Sequence, residues 1–139
     1  MKIYQVIFVL TLFFVGSSIN AQDSSKVVNM GQRFLVNVGG ISEGVISKET
    51  LIRAGELRVP KHAEGYYVLA SFRLTHVRMM DGTLVEFNPT TDGRLTEEMI
   101  NEIKQAKNGD KLYFEFIKVK SVEGEELRQV EPIGLKIQD

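Results

Sequence analysis

The chain contains no cysteine, and that one absence removes several chemistries together. Disulfides, thiolate zinc sites, a cysteine nucleophile and a lipid anchor on an N-terminal cysteine are all excluded. Only two histidines are present, His62 and His76, and no carboxylate spacing completes a metal site around either, so no metal or other cofactor is expected. An excess of charge of one sign is missing as well. With 17 basic against 18 acidic residues and a formal net charge of −1, neither nucleic acid nor an acidic membrane surface is the default partner. The glycines at 39, 40 and 44 are not followed by Gly-Lys-Ser/Thr and fit no dinucleotide fingerprint, so they read as a structural turn. No serine lies in a Gly-x-Ser-x-Gly elbow. The adjacent carboxylates Glu97/Glu98 and Glu125/Glu126 fall in a helix's opening turn and in a hairpin, both solvated places that set up no catalytic acid. Asn88 precedes Pro89, which voids its glycosylation triplet. The expectation is a protein that is not an enzyme.

Long apolar runs are scarce too. The longest is Val6–Val15, preceded by Lys2 and followed by Gly16, Ser17 and Ser18, with Ala21 at the position before a cleavage site. This is the pattern of a signal peptide over residues 1–21, and the run is short of the roughly 20 residues of a spanning helix. Residues 22–33 read as a flexible leader and 34–139 as a single domain. The expected location is the periplasm or the exterior, with no stable membrane span after cleavage.

The most informative stretch is Leu95–Lys120. Thr96 is a good N-cap, Glu97 and Glu98 complement the helix dipole, and Leu95 with Ile100 has the spacing of a hydrophobic staple. Met99, Ile100, Ile103 and Ala106 make one apolar stripe, so a packed helix is expected over about 96–107, with Gly109 able to take the left-handed conformation after it. The following strand carries Leu112, Phe114 and Phe116 on one parity and Ile117 and Val119 on the other. A bulge, or burial on both faces, is expected between Phe116 and Ile117.

Elsewhere, Phe34, Val36 and Val38 alternate as a short strand, and Ser47 caps a short helix, Lys48–Ala54, closed by Gly55. Tyr66–Met80 reads as a long strand with Tyr66, Val68, Ala70, Phe72 and Leu74 toward the core. It could leave an edge open to a partner strand. His76, on the same parity, is expected to be a satisfied edge or core histidine. Asp81-Gly82 marks a hairpin, Glu123-Gly124-Glu125 a turn, and Ile133, Leu135 and Ile137 a last strand after Pro132, at an edge or after a break. Six or seven strands, one substantial helix and no regular alternation of the two indicate a mainly β fold, an antiparallel sandwich-like single domain with one packed helix.

Candidate partner-binding residues are Arg53, Arg58 and Lys61 in a loosely basic stretch, together with Tyr67 and Arg73 on the long strand. Tyr66, Tyr67, Tyr113 and Phe116 are aromatics that either line an exposed face or belong to the core.

Val38–Lys48, Leu51 and Ala54-Gly55, then Leu95-Thr96, Met99, Ile103-Lys104, Ala106-Lys107, Gly109–Lys111, Tyr113–Glu115 and Ile117-Lys118, resemble the C-terminal (fourth) domain of the GldM gliding-motility and type IX secretion family. The resemblance spans about residues 36–138. It implies a β-rich periplasmic domain with a packed helix, non-catalytic, working through protein–protein contact. The partners it implies are envelope or secretion-machinery proteins, with a homodimer as a further candidate. GldM itself is much longer and is anchored by a transmembrane helix that couples to a motor. That segment has no counterpart in this sequence, so motor coupling does not carry over. The alternative function is a secreted small-ligand-binding or inhibitor domain using the Gly39–Gly44 corner and the Arg53–His62 loop.

Overall fold

The computed structural model describes residues 33–139, so the expected signal peptide and the leader as far as residue 32 lie outside the described residues. In chain order the elements are β1 (Gly44–Ile46), α1 (Lys48–Ala54), a 3-10 turn (Lys61–Ala63), β2 (Tyr67–Val77), β3 (Leu84–Glu86), α2 (Glu97–Gln105), β4 (Lys111–Ser121), β5 (Leu127–Gln129) and β6 (Ile133–Ile137). The fold is mainly β with a packed helix. All six strands join one open sheet in the order β1-β6-β4-β2-β3, with β5 also on β4. The sheet is mixed, because β1 runs parallel to β6 while the other pairs are antiparallel.

The second layer is helical rather than a second sheet. Leu51 of α1 and Met99 and Ile103 of α2 are buried with Phe72, Leu74, Leu112, Phe114, Ile117, Leu135 and Ile137, which all belong to one face of the sheet. Val36, Val38 and Leu57 enter the same core. The alternation of Phe34–Val38 therefore reflects burial, but the segment makes only isolated bridges, Asn37 to Arg58 and Val38 to Ile41, and no strand of the sheet. A smaller cluster of Val59, Ala63 and Val119 continues the core, with Phe34, Tyr67 and Leu69 packed on it.

Both helices start as their sequences dictate. The side chain of Thr96 accepts from the Met99 N–H, and that of Ser47 accepts from the Thr50 N–H. Gly55 closes α1 at φ 67°. α2 stops at Gln105, before the expected end, because Ala106 is already extended. The next turn is tied by Asp110, whose Oδ2 accepts from the Lys107 N–H at 3.0 Å. Gly109, at φ 94°, sits inside that turn and its N–H donates to the Ile137 carbonyl.

β2 and β4 carry two matched irregularities. Leu69 pairs with Val119 and Ser71 with Lys118, which leaves Ala70 as an extra residue on β2. Ser71 pairs with Lys118 and Arg73 with Glu115, which leaves one extra residue on β4. That residue is Phe116, at φ 49° the one non-glycine described with positive φ. The bulge expected there is present, and Ile117 and Val119 return to the core face. The extra residue at Ala70 was not foreseen and reverses half of the β2 assignment. Phe72 and Leu74 are buried, but Tyr66 and Val68 are 69% and 50% exposed, while Tyr67 and Leu69 turn inward.

Pro132 separates β5 from β6, and the two share one side of β4. β6 is not an edge, since β1 covers it. β2 is covered by β3 only over Thr75–Val77. The hairpin closes through Arg78–Thr83, with the Arg78 N–H donating to the Thr83 carbonyl and the Gly82 N–H to the Arg78 carbonyl. Among the described residues no helix is long and apolar enough to cross a membrane.

Candidate functional site

Three places concentrate polar chemistry: a buried network under α2, a cleft beside the start of β2, and the sheet face that the helices leave uncovered.

In the first, the ring of His76 is fully buried. Its Nδ1 lies 2.8 Å from Oε1 of Glu102 on α2, and its Nε2 lies 2.8 Å from Oδ2 of Asp110. Arg78 donates to the same Glu102 oxygen at 2.7 Å, and the Met79 N–H donates to Asp110 Oδ1 at 3.1 Å. Each ring nitrogen thus faces one carboxylate oxygen at hydrogen-bond distance. Burial pushes the Asp110 carboxyl up, yet the Lys107 N–H, the His76 ring and the Met79 N–H outweigh it and hold the group below the usual aspartate value. Glu102 is likewise pushed up by burial but held low overall by Arg78 and His76. His76 thus meets the expectation of a satisfied histidine. With both nitrogens in contact with carboxylates, it fastens α2 and the following turn to β2.

The cleft, of about 510 Å³, is lined by Glu56–Val59, Glu64, Tyr67–Leu69 and Asp92–Arg94 and opens broadly to solvent. Arg58 and Tyr67 meet here. The Arg58 guanidinium is already paired with Glu56 at 2.9 Å, and Tyr67 packs edge-on against Phe34. Lys61 opens the neighbouring 3-10 turn outside the lining. Arg53 is elsewhere, in the last turn of α1 and paired with Glu49. The glycines at 39, 40 and 44 are also outside the cleft, so the glycine corner and this part of the loop do not line one place.

Arg73, the fifth candidate, lies on the uncovered face. Its guanidinium bonds Glu115 at 3.1 Å and stands 4.5 Å above the Phe116 ring. The five candidates therefore do not form one constellation. The residues that do were missed. On β4, Lys111 precedes buried Leu112, and Lys118 and Lys120 alternate with buried Ile117 and Val119. On β6, Lys136 lies between buried Leu135 and Ile137. All four therefore project from the open face. With Arg73 they make five cations against Glu86 and Glu115 on that face, in a chain whose net charge is −1. Exposed apolar side chains accompany them: Val68 faces Lys120, and Leu127 flanks it on β5. Leu84 faces Val77 at the far end. The signal in the sequence was the alternation Ile117-Lys118-Val119-Lys120 and Leu135-Lys136-Ile137.

Compared with known proteins, the chain matches no family model and no curated protein.

Proposed function

We propose that the protein is a non-catalytic, exported protein–protein interaction module of the cell envelope. In this reading it is a domain of the GldM C-terminal type, accessory to type IX secretion or gliding machinery. The observation that carries the interaction role is the open sheet face, basic and studded with half-exposed apolar side chains, in a domain whose other face is sealed by helices. The resemblance over residues 36–138 supplies the envelope setting, and the apolar run Val6–Val15 supplies the route there.

The test is recovery of the affinity-tagged full chain from native envelope extract, followed by mass spectrometry and light scattering. Secretion or motility components are expected to co-purify. A monomer that brings down no envelope protein would sink the proposal.

A further inference from the structure

A solvated sheet face ordinarily carries polar side chains, but the placement of these lysines is not neutral for the sheet. Lys111 and Lys136 are directly opposite one another on β4 and β6, an arrangement of like charges that opposes folding. Lys118 and Lys120 stand two residues apart farther along β4. Among the described residues none of these four has an ion-pair partner, whereas Arg73 between them is paired with Glu115. Along β4 and its neighbours the face thus presents two unneutralised basic pairs separated by one ion pair, with apolar side chains beside each basic pair. Val45 lies next to Lys136, and Val68 and Leu127 flank Lys120.

We propose that this face is the docking surface for an acidic, amphipathic polypeptide segment. The segment lies along β4 with carboxylates on the two lysine pairs and apolar side chains on the neighbouring Val and Leu residues. This deepens the interaction-module reading and rests on it. Charge complementarity selects the occupant, since only an anionic partner relieves the repulsion between Lys111 and Lys136. An anionic bilayer fits less well. The turn after β4 carries Glu123, Glu125 and Glu126, all within six residues of Lys120, and a broad acidic surface over that end of the strand has to approach this acidic turn, whereas a narrow segment along the strand need not.

The experiment uses the protein purified in the form in which it accumulates in the cell. A labelled peptide of alternating Glu and Leu, about ten residues long to match the strand, is titrated by fluorescence anisotropy. The same peptide with Gln for Glu and vesicles containing anionic lipid are run in parallel. The variants are Lys111→Glu with Lys136→Glu, and Lys118→Glu with Lys120→Glu, each checked by thermal melting. The Glu peptide is expected to bind, to weaken at about 0.3 M salt, and to lose about ten-fold or more in affinity in each double variant. Absence of peptide binding, equal binding by the variants or the Gln peptide, or binding of vesicles alone overturns the proposal. The envelope pull-down repeated with all four substitutions separates the two readings. Partners retained by that variant leave the interaction module standing and remove this face from it. Peptide binding with no envelope partner does the reverse.

Discussion

His76 shows how a single side chain can be costly to bury and still hold a fold together. Two carboxylates and an imidazole are withdrawn together, with the exposed Arg78 guanidinium at their rim, and the cost is offset only while the hydrogen bonds are made. Asp110→Asn removes one acceptor of the ring and one of the Lys107 N–H. It is expected to cost about 2–3 kcal/mol at neutral pH, read as a shift in the urea midpoint. Because Glu102 and Asp110 are both held below their usual values, their contribution is complete above about pH 5 and is lost as pH falls through the lower folded values. The gap between wild type and variant should therefore close in acid, and a gap constant from neutral pH down to about pH 2.5 would contradict the role given to Asp110. His76 was recognisable from its parity, but its partners were not, since nothing local ties it to Glu102 or Asp110. Gly93 makes a second point at this scale. A Cβ there would lie 2.7 Å from the Leu69 Cβ and 3.0 Å from the Leu57 carbonyl oxygen, while its own carbonyl is held by the Leu57 N–H. Gly93→Ala is expected to lower stability by about 1–3 kcal/mol, measured by denaturant unfolding.

The elements were legible where their signals are local. The caps of α1 and α2, the stripe of α2 and the break in β4 all follow from neighbours in sequence, and the structure places them within a residue or two of expectation. Ile103 sits fully buried at the middle of that stripe. Ile103→Asp should cost several kcal/mol, roughly 3–5, by leaving an unpaired charge in the core, and an unchanged melting temperature would refute the packing. The elements misread are those decided by something distant. Ala70 looks like any small residue on an apolar parity, yet the surplus residue it represents on β2 exposes Tyr66 and Val68 and buries Leu69 against Gly93. The end of α2 is expected near residue 107, but the carboxylate of Asp110 takes the Lys107 N–H and closes the turn earlier, so the helix stops at Gln105.

At the scale of the whole molecule, composition and turn chemistry were enough to read a mainly β domain with a packed helix. Strand order was not readable, because the parallel pairing of β1 with β6 joins residues far apart in sequence, such as Gly44 and Leu135. The basic face was readable only in part, from the lysines alternating along β4 and β6, because the opposition of Lys111 and Lys136 arises only when the two strands are set side by side. If the export proposal holds, N-terminal sequencing of the accumulated protein should find Gln22 first; a chain that retains Met1 would argue against it. The matched surpluses on β2 and β4 bear on inheritance. Without Ala70, Leu69-Ser71-Phe72 alternates cleanly, and without Phe116, Ile117 and Glu115 alternate cleanly with Phe114. Either deletion alone throws the facing strand out of step and turns half of its side chains inside out. Both together restore a regular ladder, with Phe72 opposite Ile117. Two positions far apart in the gene therefore behave as one locus, and relatives of this chain should carry both extra residues or neither.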